Sequence, residues 1–303
     1  MSVPFVGWEV EPRLDWLAVA RTIEDGHRRP RAQVEDVLLT RPPDALLNRS
    51  AWIAGFGLLV KAATVFPGNA ARGGESINGV AALLSDRDGT LEALVDLRLL
   101  TKWKTAGDSL LGALRLARPD AREVLVVGAG TVARSLLGAY RAGFPEARLR
   151  LWSRRPEAAA ALAAEAGPKV AAEPAPDLER AVREADIVST CTMATAPLVL
   201  GDWLKEGAHL DLVGAYRPDM RECDDRAVAR ARVFCDLRHT ALVPGDLAAP
   251  IASGAFSPEA VVADLYDGPL LARRSPGEVT LFKNGGGAHL DLMTARHILE
   301  AAA

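Results

Sequence analysis

Cysteine and histidine are scarce in this sequence, and the few present are scattered. The three cysteines, Cys191, Cys223 and Cys235, lack the spacing of a metal site, and their odd number does not suit a disulfide framework. The five histidines form no HxH or HxxxH pair. We therefore expect no metal, and reduced thiols in a cytoplasmic protein.

The sequence also lacks a long apolar run and a strong excess of either charge. No stretch reaches about 18 consecutive apolar residues and no secretory signal pattern is present, so we expect no membrane-spanning helix. A net charge of −3 over 303 residues argues against nucleic acid or an anionic membrane as the main partner. A chain of this length can form two domains.

The most informative segment present is VLVVGAGTVA at 124–133, an apolar run that breaks into Gly128-x-Gly130-x-x-Ala133. A buried strand, a glycine turn and a helix start present backbone N–H groups to a pyrophosphate. We predict that the two glycines, with Thr131 and Val132, bind a dinucleotide. A glycine-rich turn without a ligand is the alternative.

Three residues after the next predicted strand bear on which dinucleotide is bound. NAD sites usually place an acid about 20 residues after the glycines, where it holds the ribose 2′-hydroxyl. This chain has Ser153, Arg154 and Arg155 there instead, a set suited to a 2′-phosphate. We predict NADP(H), with NAD(H) as the alternative; the two arginines are otherwise solvated residues at a helix entry.

Two further strand ends are candidates for the cofactor crevice, because the carboxyl ends of parallel strands line it. Thr190 and Thr192 end one strand, and Gly214 and Tyr216 end the next. We expect them to approach the ribose or the nicotinamide, with Tyr216 as a candidate catalytic group. Ordinary strand-end turns and a packed tyrosine are the competing interpretations.

Two lysines of the predicted N-terminal domain are candidates for binding an anion. Lys61 stands inside an apolar run, so it either extends to the surface from an edge strand or meets an anion in a cleft. Lys104, expected near the start of a long helix, opposes the helix dipole and so favours an anionic ligand. For Lys104, a side chain that simply extends into solvent is the plainer interpretation.

A triple-glycine turn at 285–287 follows a predicted strand and precedes a predicted helix. Such a turn is conformationally costly and indicates close approach of the backbone to a ligand or to another backbone. Gly286 is therefore a candidate for substrate binding. His289 and Asp291 follow in the first helical turn, where Asp291 suits the helix dipole with or without a functional role.

The order of predicted elements indicates an α/β protein with a Rossmann dinucleotide-binding domain and a second, mixed α/β domain. We predict residues 119–276 for the first, and residues 1–118 with 277–303, including the C-terminal helix, for the second. The N-terminal region has a helical pattern at 14–28, strand patterns at 37–39, 58–65, 79–84 and 91–96, and a long helix at 101–117. Strands are then predicted at 123–127, 148–152, 169–172, 186–191, 209–213 and 233–237, and a last strand at 278–282 is expected to return to the N-terminal domain.

Taken together, these segments resemble the ornithine cyclodeaminase and mu-crystallin family over almost the whole chain. The segments that carry the resemblance are VKAATVFPGN at 60–69, DLRLLTKWKTA at 96–106, the glycine turn at 128–133, GAYRP at 214–218 and FKNGG at 282–286.

The resemblance implies a homodimeric NAD(P)-dependent enzyme that acts on small 2-amino or 2-imino acids, with the mixed α/β domain serving substrate binding and dimerisation. It implies that Lys61 and Lys104 bind the substrate carboxylate, with help from Arg31. Lys104 stands where the family usually has arginine, and a lysine cannot form the bidentate fork. Tyr216 stands where ornithine cyclodeaminases look as if they carry an aspartate.

We therefore expect an imine reductase that uses NADPH to reduce Δ1-pyrroline-2-carboxylate or Δ1-piperideine-2-carboxylate, with Lys61, Lys104 or Tyr216 keeping the imine nitrogen protonated. The alternatives are ornithine cyclodeamination with bound NAD, an alanine dehydrogenase activity, and a non-catalytic ligand-binding protein like some mu-crystallin relatives.

Overall fold

The computed structural model describes residues 3–303, and it describes Ala70 by its backbone alone. The strands are β1 (Phe5–Val6), β2 (Gln33–Arg41), β3 (Asp44–Ile53), β4 (Gly57–Val65), β5 (Ile77–Leu84), β6 (Leu91–Asp96), β7 (Glu123–Val127), β8 (Arg148–Trp152), β9 (Ala172–Pro174), β10 (Ile187–Thr190), β11 (His209–Leu212), β12 (Arg232–Cys235), β13 (Val261–Asp264) and β14 (Thr280–Lys283).

The α-helices are α1 (Trp16–Gly26), α2 (Leu97–Leu116), α3 (Thr131–Gly143), α4 (Pro156–Val170), α5 (Leu178–Glu184), α6 (Asp225–Arg230), α7 (Arg238–Ala241), α8 (Gly245–Ser253) and α9 (Ala288–Ala302). Short 3₁₀ helices lie at Trp8–Arg13, Pro67–Arg72, Gly201–Trp203, Pro258–Ala260 and Leu265–Leu270. No helix within residues 3–303 is both long enough and apolar enough to cross a membrane.

The chain forms two compact units. The first contains the residues up to Lys104 together with Gly287–Ala303, and the second is Thr105–Gly286. The predicted boundaries at 118 and 277 both fall inside the second unit. The helix α2 begins in the first unit and ends in the second.

The first unit is built on a mixed six-stranded sheet in the order β1-β6-β5-β4-β3-β2. Neighbouring strands are antiparallel except for β1 and β6. Burial alternates along β4, where Leu59, Lys61 and Ala63 are buried while Val60 is exposed. Because side chains alternate between the two faces of a strand, Lys61 lies on the covered face, against which α9 packs.

The second unit contains an eight-stranded sheet in the order β13-β12-β14-β11-β10-β7-β8-β9, with parallel pairing throughout. The strand order reverses between β7 and β10, which is the switch point where doubly wound sheets bind dinucleotides. The apolar run of β7, with four of its five side chains buried, accounts for its central place. The predicted Rossmann fold is confirmed.

One strand lies elsewhere than predicted. We expected the strand near 278–282 to return to the N-terminal domain, but β14 lies between β11 and β12 in the second unit. All four of its side chains are buried, as the interior of a parallel sheet requires. Only the helix after it, α9, belongs to the first unit.

Other differences have local causes. The strand predicted at 169–172 starts only at Ala172, since α4 continues to Val170 and Ala171 adopts a left-handed conformation with φ 51°. The helix predicted from residue 101 begins at Leu97, because Oδ1 of Asp96 accepts hydrogen bonds from the N–H groups of residues 98 and 99. The strands β1, β3 and β13 were not predicted.

Candidate functional site

The glycine turn has the geometry that a pyrophosphate needs. Gly128 has φ 135°, and a Cβ there would lie 2.8 Å from Sγ of Cys191, so only glycine fits. A Cβ on Gly130 would meet nothing within 4 Å, which leaves open space beside the start of α3. Gly130 is the N-cap residue and no side chain caps the helix, so the first N–H groups, from Thr131 and Val132 onward, are available to an anion.

The segment after β8 presents positive charge to solvent. Arg154 and Arg155 are exposed, and Ser153 is half-buried. The N–H of Arg155 donates to Oγ of Ser153 at 3.2 Å, which keeps the hydroxyl beside the arginine backbone. Since no acid stands among these residues, the segment suits a phosphate better than a ribose hydroxyl.

The strand ends of β10 and β11 differ in what they expose. Thr190 has no exposed surface, and its hydroxyl donates to the carbonyl of Asp211 at 3.5 Å, so it belongs to the interior of the sheet. Thr192 is half-buried, and both its N–H and its hydroxyl donate to Glu222. A Cβ on Gly214 would lie 2.1 Å from the carbonyl oxygen of Thr192. The glycine therefore serves the close approach of two backbones.

Two other predicted residues also lie in the second unit. Tyr216 is 59% exposed, and the guanidinium of Arg217 lies 5.5 Å from its ring centroid. Gly286 has φ 71°, and its N–H donates to Oδ2 of Asp236 at 2.5 Å. The structure thus gives Gly286 a turn-forming role with its N–H already engaged.

In the first unit, Lys61 forms a buried ion pair. Its Nζ lies 2.5 Å from Oδ2 of Asp291 on α9, and both side chains are almost completely buried. Burial lowers the pKa of Lys61, opposed by Asp291 and reinforced by Lys104. Burial also works against the charge on Asp291, yet Lys61, Lys104 and Arg49 together hold its pKa below the usual value. Each partner thus favours the charged form of the other.

Lys104 is the second buried cation of this cluster. It is 6% exposed, and no carboxylate within the described part of the chain lies at ion-pair distance from it. It stands seven residues after the start of α2, beyond the first turn, so the predicted conflict with the helix dipole does not apply. A buried ammonium without an acid partner is costly and favours an anionic ligand.

Arg49, which the sequence did not single out, is opposite Lys61 in the register of β3 and β4. Its guanidinium binds Asp36 in a bidentate pair, with Nε to Oδ1 at 3.0 Å and Nη2 to Oδ2 at 2.6 Å. Arg49 and Asp36 are themselves opposite one another across β2 and β3. Two cations, Arg49 and Lys61, are thus opposite one another on one sheet face, and each is paired with an acid.

Two imidazoles complete the cluster. His289 on α9 is fully buried, and its ring centroid lies 5.1 Å from that of His27 in a perpendicular arrangement. Burial, and then the charges of His27, Lys104, Arg49 and Arg31, lower the pKa of His289 well below its usual value. The exposed Arg31 therefore adds to the positive electrostatic potential at His289, and the imidazole of His289 is neutral.

The charges of this cluster define what it can bind. Lys61, Lys104 and Arg49 are cations, while Asp291 and Asp36 are the anions paired with two of them. One positive charge, on Lys104, is left for a ligand, which suits a single carboxylate. Within residues 3–303 no group of three histidine, cysteine or acidic side chains is arranged to hold a metal ion.

A second set of polar groups was missed from the sequence because its members are completely buried. Glu222, Asp246 and Lys283 lie in the interior of the second unit. Lysine and glutamate are almost never buried without partners, so sequence rules place them at the surface. A lysine within the apolar strand sequence TLFK was the only available signal.

A comparison with known proteins identifies the family. The family model for the ornithine cyclodeaminase/mu-crystallin family matches residues 51–303. The chain belongs to this family. It is 49% identical over 298 residues to the Δ1-pyrroline-2-carboxylate reductase of Paracoccus denitrificans, covering 96% of this chain and 94% of that protein.

Solved structures show the same fold along the whole chain. The Δ1-pyrroline-2-carboxylate reductase of Thermococcus litoralis, solved with NADH and L-proline, superposes with a TM-score of 0.91 at 24% identity, over 99% of this chain and 97% of that one. An archaeal alanine dehydrogenase dimer with bound NAD gives a TM-score of 0.90 at 25% identity, over 100% of this chain and 96% of that one.

Proposed function

We propose that this protein is an NADPH-dependent imine reductase that converts Δ1-pyrroline-2-carboxylate, or the six-membered Δ1-piperideine-2-carboxylate, to the cyclic amino acid. It is an oxidoreductase that acts on C=N bonds. The observation that carries the substrate assignment is 49% identity, along nearly the full length of both chains, to a protein named for this reaction.

The carboxylate of the substrate binds Lys104. This lysine is the one buried cation of the cluster whose charge is not matched by an acid of the described chain. Its single ammonium positions the acid group by charge and donates up to three hydrogen bonds, without the planar fork of arginine. Arg31 and Arg49 add to the positive field that the carboxylate meets.

Lys61 supplies the proton. Reduction of an imine adds a hydride to carbon and requires a proton on nitrogen. Because burial lowers the pKa of Lys61, its ammonium is a stronger acid than a surface lysine. Asp291 keeps that ammonium charged and fixed in place until the substrate arrives. Tyr216, which is 59% exposed, is not assigned this proton transfer.

The cofactor is a nicotinamide dinucleotide, which supplies a hydride when bound. Gly128 and Gly130, with the N–H groups of Thr131 and Val132, hold its pyrophosphate at the start of α3. Thr192 and the strand end at Gly214 and Tyr216 face its nicotinamide half. Thr190, which is fully buried within the sheet, is not assigned to cofactor binding.

We assign NADP(H) over NAD(H) from the segment after β8. Arg154 and Arg155 are exposed beside Ser153, and the acid that holds a ribose 2′-hydroxyl in NAD sites is missing. The archaeal alanine dehydrogenase contains NAD, so the family fold itself does not impose this preference.

Steady-state kinetics with the purified protein tests the proposal. We expect oxidation of NADPH in the presence of Δ1-pyrroline-2-carboxylate or Δ1-piperideine-2-carboxylate, and proline or pipecolate as product. Parallel reactions with ornithine, and with pyruvate plus ammonia, test cyclodeamination and alanine dehydrogenase activity. Binding of NADPH without turnover of any of these substrates would overturn the proposal in favour of a ligand-binding protein.

We also propose that the protein is a homodimer formed through the sheet of the first unit. The face of this sheet opposite Lys61 carries an apolar patch that is partly or fully exposed in the single chain, with Trp52, Val60, Ala82 and Leu94 among its side chains. An apolar sheet face of this kind is rarely left in water, and a second copy of the same face covers it with twofold symmetry. The related alanine dehydrogenase is described as a dimer.

A further inference from the structure

The completely buried acid Glu222 ties together two strand ends of the second unit. Its Oε1 accepts hydrogen bonds from the N–H and the hydroxyl of Thr192, at 2.6 and 2.8 Å. Its Oε2 accepts from the N–H of Gly214 at 2.7 Å. One carboxylate therefore fixes the segments that follow β10 and β11.

A second acid and a lysine hold the backbone of Glu222 and of the segment after β11 in place. Oδ1 of Asp246 accepts the N–H of Glu222 at 2.7 Å, and its Oδ2 accepts from Nζ of Lys283 at 3.0 Å. The same Nζ donates to the carbonyls of Ala215 at 2.9 Å and Leu212 at 3.2 Å. The segment after β11 is thus fixed on both sides, by Glu222 and by Lys283.

Burying such a cluster costs a large desolvation free energy. Three ionisable side chains lie out of contact with water, and well-packed apolar residues of similar volume are often equally stable or more stable. The hydrogen bonds of this cluster end on backbone groups at the carboxyl edge of the sheet. In a doubly wound sheet the ligand binds at that edge. The strands β10 and β11 lie on one side of the switch point, and β7, which leads into the glycine turn, lies on the other side with β8 and β9.

We propose that Glu222, supported by Asp246 and Lys283, is a positioning residue for the nicotinamide half of the cofactor. It sets the position of the Thr192 and Gly214 segments against which the nicotinamide and its ribose bind. This inference rests on the proposed dinucleotide function. The adenine and 2′-phosphate half, held by the glycine turn and the arginines after β8, does not depend on Glu222.

The substitution E222Q tests this with little change of shape. The amide retains one acceptor oxygen and replaces the other with a donor, so either Thr192 or Gly214 loses its bond. We expect turnover with NADPH to fall about tenfold to a hundredfold, the range of a lost charge-assisted hydrogen bond. Affinity for adenosine 2′,5′-bisphosphate, which lacks the nicotinamide, should stay within about twofold of the unsubstituted protein.

A readout without cofactor separates positioning from chemistry. In E222Q, amide hydrogen exchange of the Thr192 segment or of the Gly214 segment should be faster than in the unsubstituted protein, because one of the two N–H groups loses its buried acceptor. Exchange in the glycine turn at 128–131 should be unchanged.

The matched control is D186N. Oδ2 of Asp186 also accepts two backbone N–H groups, from Arg122 at 2.7 Å and Glu123 at 2.9 Å, but at the amino edge of the sheet. This variant should lose stability and retain turnover. The inference is overturned if E222Q keeps full turnover, or if it loses affinity for the bisphosphate as much as for NADPH. Failure of the unsubstituted protein to bind NADPH would instead overturn the proposed function.

Discussion

Lys61 on β4 and Asp291 on α9 form a buried ion pair with 2.5 Å between Nζ and Oδ2, although 230 positions separate them in sequence. Removing one partner of such a pair leaves a buried charge uncompensated, whereas removing both does not. The pair therefore offers a way to separate the folding role of Lys61 from its role in the reaction.

The variants are K61M and the double variant K61M/D291N. We expect K61M to lower the free energy of unfolding by about 3–5 kcal/mol, and the double variant to recover most of this loss. Neither should reduce Δ1-pyrroline-2-carboxylate at a measurable rate, because the proton donor is missing in both. Urea denaturation and steady-state kinetics provide the two measurements. A double variant that is both stable and active would contradict the role assigned to Lys61.

Lys104 is expected to bind the substrate carboxylate. In K104M the KM for the imino acid should rise about tenfold to a hundredfold, the range for a lost hydrogen bond to a charged group. K104R keeps the charge and should retain much of the affinity. The exposed Lys169 provides the control, since K169M should leave KM unchanged. Equal KM values for K104M and K169M would show that the carboxylate binds elsewhere.

The arginines after β8 are expected to decide between the two dinucleotides. In R154A/R155A the KM for NADPH should rise about tenfold or more, while the KM for NADH changes little, because only NADPH carries the 2′-phosphate. The ratio of kcat/KM for the two cofactors measures this directly. R274A, which removes another exposed arginine of the same unit, should leave the ratio unchanged. A parallel loss with both cofactors would rule out recognition of the phosphate.

Stability should depend on pH through Asp211. Burial raises its pKa from 3.8 to about 6, although Ser189, Tyr140 and Ser109 donate hydrogen bonds to it. The folded state therefore binds this proton more tightly than the unfolded state. Its contribution to stability is complete below about pH 3.8 and is lost as the pH rises through about 6.

The variant D211N removes this dependence while keeping a side chain that hydroxyl groups can bind. The difference in unfolding free energy between the unsubstituted protein and D211N should fall by up to about 1.4 kcal/mol per pH unit between pH 4 and 6. Urea denaturation at pH 4, 5, 6 and 7 measures it. A difference that is constant across this range would mean that Asp211 titrates alike in both states.

The apolar sheet face is expected to form the dimer interface. Val60 and Ala82 are opposite one another across β4 and β5, so V60E/A82E places two like charges side by side on that face. Light scattering coupled to size-exclusion chromatography should report a monomer for this variant. L270E, at another exposed apolar residue, should remain a dimer. A monomeric unsubstituted protein would refute the proposal at once.

Much of the second unit was predictable because its strands are short apolar runs. The strands at Glu123–Val127 and Arg148–Trp152 coincide with the predicted ranges, and four others agree within two residues. Buried parallel strands have this continuous apolar pattern, and the glycine turn marks where α3 begins. The local sequence pattern was therefore sufficient to predict these strands and the start of α3.

The remainder depends on contacts that a local pattern does not encode. The strand β3, with sequence DALLNRSAWI, has no clean alternation of apolar and polar residues, because its covered face holds Arg49 and its other face mixes Trp52 with Ser50. The pairing of Lys61 with Asp291, and of Lys283 with Asp246, joins residues far apart in the chain. Only the folded arrangement distinguishes such buried charges from surface ones.

The ammonium of Lys104, which no acid among the described residues pairs, has a practical consequence at the bench. A nearly dry positive charge attracts small acids of any kind, so acetate, formate or bicarbonate in a buffer will compete with the substrate for the same place. Apparent affinities should therefore shift with the choice of buffer salt, even at constant ionic strength. Kinetic comparisons between variants are meaningful only in media whose anions are too bulky to enter.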